Sequence, residues 1–456
     1  MNFPDSIFKA YDIRGVYPDQ ITEDLAYKIG QGYAALMLKE NAQKKLQVVI
    51  GGDMRLSTPS LKERLIQGIL DVGIDVVDIG LVSTPTFYGI VALFGYDGGV
   101  QVSASHNPKE YNGFKMVRAQ AVPISGETGI QDIKQLVKDG VSMNAEIRGT
   151  LTQKSGLLQE VIEAEVREWN IQREKIRPLK IVVDAANAMG ALDVEAIFAG
   201  LPCELIRLNF KLDGTFPAHE ADPIKEENLK MLCEAVVEHG ADLGIAPDGD
   251  GDRYFFVDEK GQIIRQEILR GIMAQQALKK YVEATVCYDI RPGKITCDLI
   301  TAAGGKPVVT RVGHSLIKEK MLEVGAVFGG ESSGHYFYKF SFGTFEAPTV
   351  HILQFLQYIS EENKPVSELI HPHKKYFHSG EINFVVEDKE KKMKELAAHY
   401  ADAQVSFLDG VTIEYPEWWF NVRPSNTESL LRLNLEANTQ ELMQQKVEEV
   451  KKIILE

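Results

Sequence analysis

Three related α/β/α domains with mixed, mainly parallel sheets, followed by a smaller α+β domain, are the architecture this sequence predicts. Three observations carry it. An arrangement of apolar strand, helix-like stretch and second apolar strand occurs three times along the chain. Beyond residue 371 it stops, and short strands with two helical stretches replace it. The 456 residues allow roughly three or four domains, and a 44% hydrophobic content fills several separate cores.

In the first repeat, residues 46–50 run into Gly51-Gly52-Asp53; in the second, 181–183 end at Asp184; in the third, 285–288 end at Asp289. The second strands are 74–79, 203–208 and 307–309. A third short strand then ends at SASHNP (103–108), at DGDGDR (248–253) and at GGESSGH (329–335). All three unusual motifs thus fall at the carboxyl ends of equivalent strands, where α/β sheets bind ligands, so they can converge on one cleft.

The polar, aperiodic stretch 138–150 separates domain 1–150 from the next, whose first helix carries Leu158, Val161, Ile162, Val166 and Trp169 on one face. Further boundaries follow Arg253 and the HPHKK run, which gives 151–253, 254–370 and 371–456. In the last domain, strands are expected at 382–386, 417–422 and 430–435 and helices at 389–400 and 440–455. Leu431, Leu433 and Leu435 alternate with Arg432, Asn434 and Glu436, which predicts one wet sheet face.

With 50 Lys+Arg against 65 Asp+Glu, the net charge of −15 disfavours a nucleic-acid or polybasic membrane surface, so an anionic substrate must meet locally clustered Arg and Lys. The four cysteines are too sparse for a disulfide framework and form no CxxC pair. No apolar leader and no long uncharged apolar run occurs. A cytoplasmic setting is expected.

DGDGDR places Asp248, Asp250 and Asp252 at alternate positions, and an extended loop would point all three to one side. Like charges this close require a cation, and hard oxygen donors favour Mg²⁺ or Ca²⁺ over zinc. A solvated acidic turn is the bland alternative. An EF-hand loop is the sharper one, with Glu259 at its twelfth place, but Arg253 stands where that loop needs glycine. SASHNP sets Ser105 at a strand end, without the GxSxG elbow of a serine hydrolase. A serine beside a divalent-metal loop suits phosphoryl transfer, with Lys115 of YNGFK as a partner for the charge. Glu331 and Ser333, at i and i+2 with His335 beyond, suit sugar hydroxyls. Arg423, Ser425, Asn426 and Thr427 of RPSNT form a phosphate-clamp inventory. Taken singly, the last two motifs read equally well as ordinary turns.

Together these motifs, in this order from FKAYDIRG to RPSNTES, resemble the α-D-phosphohexomutase family, and specifically its phosphomannomutase/phosphoglucomutase branch, over essentially the whole chain. The resemblance implies four domains around a central active-site cleft, each supplying one loop. It implies that Ser105 is the phosphoserine and that Asp248, Asp250 and Asp252, with a phosphoserine oxygen, hold Mg²⁺. Glu331 and Ser333 match the sugar-reading pair, and Arg423, Ser425, Asn426 and Thr427 match the loop for the non-reacting phosphate. Tyr11, Arg14, Lys115, Arg253, Arg291, His314 and His335 fall on other cleft positions of the family.

The implied reaction interconverts hexose 1-phosphate and hexose 6-phosphate, of mannose, glucose or both, through a bound hexose 1,6-bisphosphate. Arg14, Lys115 and His314 remain open as the general base, His314 being the one that titrates near neutrality. Arg291 where relatives often carry Lys, Ser429 for a frequent Pro, Ser103 for a common Thr and the HEADP run bear on substrate preference more than on reaction type. Phosphoglucosamine mutase, phosphopentomutase, a metal-dependent sugar phosphatase and, more distantly, a calcium-binding module are the competing readings.

Overall fold

Five- and six-residue apolar runs bounded by turn formers become strands buried on both faces, as parallel sheets covered by helices require. The computed structural model describes residues 3–41, 44–141, 147–291, 293–424 and 430–456. It divides into two units, Met1–Ile264 with Ser333–Ser367, and Arg265–Ser332 with Glu368–Glu456.

The first unit opens with β1 (Ile13–Val16), β2 (Gln47–Gly52), β3 (Asp75–Leu81), β4 (Gly98–Val102), β5 (Tyr111–Arg118) and β6 (Leu151–Gln153). They form one sheet in the order β1-β5-β4-β2-β3-β6, parallel from β4 to β6 and antiparallel where β5 joins β4 and β1. Helices Glu23–Glu40, Thr58–Asp71 and Gln131–Asp139 bury Ile29, Tyr33, Leu65, Ile69 and Ile133 in one core with Val48, Val76 and Val100 of the strands. Helix Thr84–Leu93 is started by Ser83, whose hydroxyl accepts from the Thr86 amide, and by Pro85 in its first turn.

A second sheet follows, built from β7 (Lys180–Asp184), β8 (Glu204–Leu208), β9 (Leu243–Pro247) and β10 (Tyr254–Asp258) in the order β10-β9-β7-β8. The boundary expected at Arg253 falls inside this sheet, because β10 pairs antiparallel with β9 from Tyr254↔Pro247 to Asp258↔Leu243. The acidic motif is therefore the turn of a β-hairpin.

In the second unit β11 (Thr285–Asp289), β12 (Lys306–Thr310) and β13 (Phe328–Gly330) run parallel, with β11 between the other two. The chain returns to the first unit with the hairpin β14 (Tyr336–Phe340) and β15 (Gly343–Glu346) and the helix Pro348–Glu362. It ends in the second unit with β16 (Phe377–Phe384), β17 (Gln404–Ser406), β18 (Val411–Glu414), β19 (Trp418–Pro424) and β20 (Leu431–Ala437). These form a wholly antiparallel sheet, β16-β20-β19-β18-β17. The wet face expected on β20 is instead covered: Asn434 and Glu436 are buried, and Glu436 accepts from the Trp419 indole at 3.0 Å and the Lys294 amide at 3.3 Å.

Helix Leu158–Trp169 buries Val161, Ile162 and Trp169 as its pattern predicts, but it also buries Glu165. Burial pushes the Glu165 carboxyl up to about 8 from an ordinary 4.5, with the nearby Asp193 carboxyl acting in the same direction and the Thr349 hydroxyl opposing. Asp193, buried as well, is pushed up to about 7. Between about pH 4.5 and 8 the folded chain thus keeps a Glu165 proton that the unfolded chain has released, so stability falls as the pH rises through that window and levels off above it. Glu165→Gln should melt with the parent near pH 5 and about 2–4 °C above it near pH 8. Scanning fluorimetry across that range checks this, and a pH-independent difference would contradict it.

Candidate active site

Ser105 follows the carboxyl end of β4 and is 2% exposed. Its backbone lies in the left-handed region at φ 53°, unusual for a residue with a Cβ, and its amide donates to Ser103 Oγ at 3.0 Å. The hydroxyl donates to Asp248 Oδ2 at 3.0 Å and lies 3.2 Å from His106 Nδ1. Burial first, then the Arg253 and Arg14 charges, hold His106 well below the usual imidazole range, so it is neutral beside Ser105. Arg14, on β1, pairs with Asp12 and donates to Asn107 Oδ1 at 2.5 Å.

The acidic residues do converge, though not by alternation along an extended loop. Gly251, at φ 77°, closes a turn in which its amide donates to the Asp248 carbonyl at 3.2 Å, and the Asp252 amide donates to Asp248 Oδ1 at 3.1 Å. Asp248, Asp250 and Asp252 each offer an oxygen within 4.8 Å of the others, all buried. Gly249 seats this turn on the serine loop: a Cβ there would lie 2.3 Å from the Ser105 carbonyl oxygen.

Lys115, on β5, reaches Asp250 Oδ2 and Asp252 Oδ2 at 2.6 Å each. Burial would depress its pKa, and the two carboxylates more than offset this, holding the ammonium well above its ordinary value. Burial, reinforced by Asp252 and Asp250, pushes Asp248 upward.

This donor set fits a hard divalent cation. All three ligands are carboxylates, the Ser105 hydroxyl lies against Asp248, and Asp250 Oδ1 is buried without a hydrogen-bond partner among the described residues. A second trio, Asp252, His335 and Glu346, also lies within 4.8 Å, but its histidine is already engaged. His335 Nδ1 is 2.9 Å from Ser333 Oγ, Arg253 Nε donates to its Nε2 at 3.2 Å, and Nε2 is 3.3 Å from Asp252 Oδ1. Ser333 and His335 thereby join Ser105, Lys115 and Arg253 in the first unit.

Within the second unit, Glu331 follows β13 and accepts from the Gly313 amide at 2.8 Å, next to His314, the first residue of helix His314–Val324. Arg291 reaches Asp289 at 2.5 Å and Glu331 at 3.9 Å, while Arg270, wholly buried, also binds Asp289. Arg423 pairs with Glu381 at 2.9 Å. Glu331 and Ser333, two residues apart in sequence, fall in different units. Ser425, Asn426 and Thr427 lie outside the described residues, as does Ser429. Tyr11 is half-buried just ahead of β1.

Reading the motifs alone missed Arg55, which is 1% exposed and binds the main chain of the serine loop. A signal was present. Asp-x-Arg occurs as Asp12-Ile13-Arg14 at β1, as Asp53-Met54-Arg55 after β2 and as Asp289-Ile290-Arg291 starting on the last residue of β11. In each the arginine pairs with the aspartate two residues before it.

Four domain descriptions of one family match in succession: phosphoglucomutase/phosphomannomutase alpha/beta/alpha domains I, II and III over residues 5–142, 159–261 and 266–376, and the C-terminal domain over 381–453. A phosphomannomutase of Vibrio cholerae is 38% identical over 457 residues, covering 98% of each chain. The chain belongs to the phosphoglucomutase/phosphomannomutase family. A phosphomannomutase of Methanocaldococcus jannaschii is 39% identical, covering 98% of this chain and 97% of its own. A Burkholderia thailandensis protein described as of the phosphoglucomutase/phosphomannomutase family superposes with a TM-score of 0.88 at 32% identity, covering 99% of this chain and 98% of its own. Membership makes this chain a phosphohexomutase, an isomerase with the family's three α/β/α domains and antiparallel C-terminal domain. Among the described residues, no helix is long and apolar enough to cross a membrane.

Proposed function

We propose that this phosphohexomutase carries a phosphoryl group on Ser105 and exchanges it with hexose phosphates, accepting both mannose and glucose forms. The observation that supports this most directly is the Ser105 hydroxyl, 3.0 Å from the first of three clustered carboxylates, with Lys115 bridging the other two.

Transfer breaks the bond between phosphorus and Ser105 Oγ and makes one to the free sugar hydroxyl, whose proton leaves to a base. The 1,6-bisphosphate so formed turns over and returns its other phosphate to Ser105. Asp248, Asp250, Asp252 and a phosphoserine oxygen would hold Mg²⁺, which when bound supplies charge neutralisation on the transferring oxygens. Arg14 and Lys115, tied to Asp12 and to Asp250 and Asp252, serve as fixed positive charge, and Arg253 adds a third cation beside the turn. Arg14, Lys115 and His314 stay the three candidates to accept the hydroxyl proton, and the histidine is the one whose ordinary titration range lies near neutrality.

A substrate that reacts at both ends must be gripped by features that survive its reversal. Glu331 and Ser333 reading the 3- and 4-hydroxyls would do this; Tyr11, Arg291 and His335 are assigned to the substrate as well, and Arg423, Ser425, Asn426 and Thr427 to the non-reacting phosphate. Such a grip ignores the 2-position, the only place where mannose and glucose differ.

Mannose 1-phosphate and glucose 1-phosphate, each given with a trace of the bisphosphate and Mg²⁺, should both yield the 6-phosphate, with kcat/KM values within about tenfold of each other. Release of inorganic phosphate would mark a phosphatase instead. A preference for glucosamine 1-phosphate or a pentose phosphate would move the chain to another branch of the family.

A further inference from the structure

Arg55, almost wholly buried, directs its guanidinium at the main chain of a single loop. Nη2 donates to the carbonyls of Ser105 at 2.8 Å and Asn107 at 2.5 Å, and Nη1 to those of Pro108 at 2.7 Å and Tyr111 at 3.0 Å. Nε lies 3.2 Å from Asp53 Oδ2, whose other oxygen accepts from the Arg55 amide at 3.0 Å and the Thr58 hydroxyl at 2.6 Å. The Phe216 ring, from the neighbouring domain of the same unit, covers the guanidinium at 5.2 Å.

Four acceptors within seven residues of chain, all on one planar cation, fix the course of the serine loop. Ser105 sits at φ 53°, a conformation that costs about 1 kcal/mol and persists only where its surroundings over-determine it. In a trans peptide the carbonyl and the following amide point opposite ways. Turning the Ser105 and Pro108 carbonyls onto Arg55 therefore turns the His106 and Lys109 amides away from it, and keeps carbonyl dipoles off an anion carried on the outer side.

We propose that Arg55 is a positioning residue for phosphoryl transfer, holding the Ser105 loop so that Oγ stands against the acidic turn and the loop offers amides to the phosphoryl group. The inference rests on the reading that Ser105 carries that group. Lysine keeps the charge but not the fork, and its single nitrogen cannot span four carbonyls.

Kinetics, melting temperature and Mg²⁺ response of the full chain should be measured for Arg55→Lys, Asp53→Asn and Ser105→Ala. Arg55→Lys is expected to lower kcat about 10- to 100-fold with KM for mannose 1-phosphate within about threefold, at temperatures well below its own melting point. Asp53→Asn, which removes only the charge behind Nε, should lower kcat about 3- to 10-fold with KM again unmoved. Either variant, if folded, with kcat within twofold of the parent beside an inactive Ser105→Ala overturns the positioning role. If Arg55→Lys fails to fold, Asp53→Asn decides alone. An active Ser105→Ala overturns the phosphoserine reading instead.

Discussion

Ser105→Ala should lower turnover at least ~10⁴-fold, to the limit of detection, while the protein keeps its fold. The side chain is small and buried, and alanine at φ 53° is strained about as much as serine. The variant loses the hydroxyl's hydrogen bond to Asp248 at 3.0 Å and its contact with His106 Nδ1 at 3.2 Å, and leaves an oxygen that already belongs to the acidic turn. A shift of more than a few degrees in melting temperature is therefore not expected. What disappears is the one protein atom that the proposed mechanism phosphorylates. Near-normal activity would sink the mechanism, whereas an inactive but unfolded variant would fail the stability control. Mapping a phosphoryl group to the peptide containing Ser105 in the parent protein, and its absence in the variant, supplies a readout that does not depend on rate.

Asp250→Asn comes second, with kcat expected to fall about 10²- to 10³-fold and the Mg²⁺ concentration for half-maximal rate to rise at least about tenfold. Asp250 Oδ2 accepts from the Thr84 hydroxyl at 2.5 Å and from Lys115 at 2.6 Å, while Oδ1 is buried with no hydrogen-bond partner among the described residues. Asparagine fills the same space with no net charge. One of three ligand charges is gone, and Lys115 keeps full ion pairing only with Asp252. Both effects weaken the site without disturbing Thr84, which also binds the Asp250 main chain through its amide at 2.9 Å. An unchanged Mg²⁺ response would remove Asp250 from the metal site. A reduced kcat with that response intact would point to Lys115 as the group that matters.

Much of this site was legible because its chemistry sits in short local motifs. Ser105, Asp248 and Glu331 each directly follow or lie within three residues of a strand end, and strand ends are set by apolar runs giving way to glycine and aspartate. The expectation that equivalent strand ends carry the reactive residues needed only that periodicity. Ser105 and the acidic turn do meet, the hydroxyl standing 3.0 Å from Asp248. It misjudged the turn's shape, since alternation in sequence resembles a strand whether or not a glycine at positive φ bends the chain back.

Long-range pairings were illegible for a different reason. Helical spacing from Val161, Ile162 and Trp169 does place Glu165 on the apolar face, but nothing local shows that its carboxyl is left deep in the core beside Asp193, and nothing local to β20 shows that Trp419 and Lys294 cover Glu436. The same holds for the division that puts Glu331 and Ser333 in different units.

By itself the sequence determined the three α/β repeats, the smaller α+β last domain, the candidate serine, the acidic triplet and the family, because each is written in residues close together in the chain. Only the tertiary structure decided that Arg55 grips the carbonyls of a loop about 50 residues away and that Lys115 joins two of the three aspartates. Such contacts depend on how sheets and loops close in space, and a buried cation's partners are chosen by geometry and desolvation rather than by spacing along the chain.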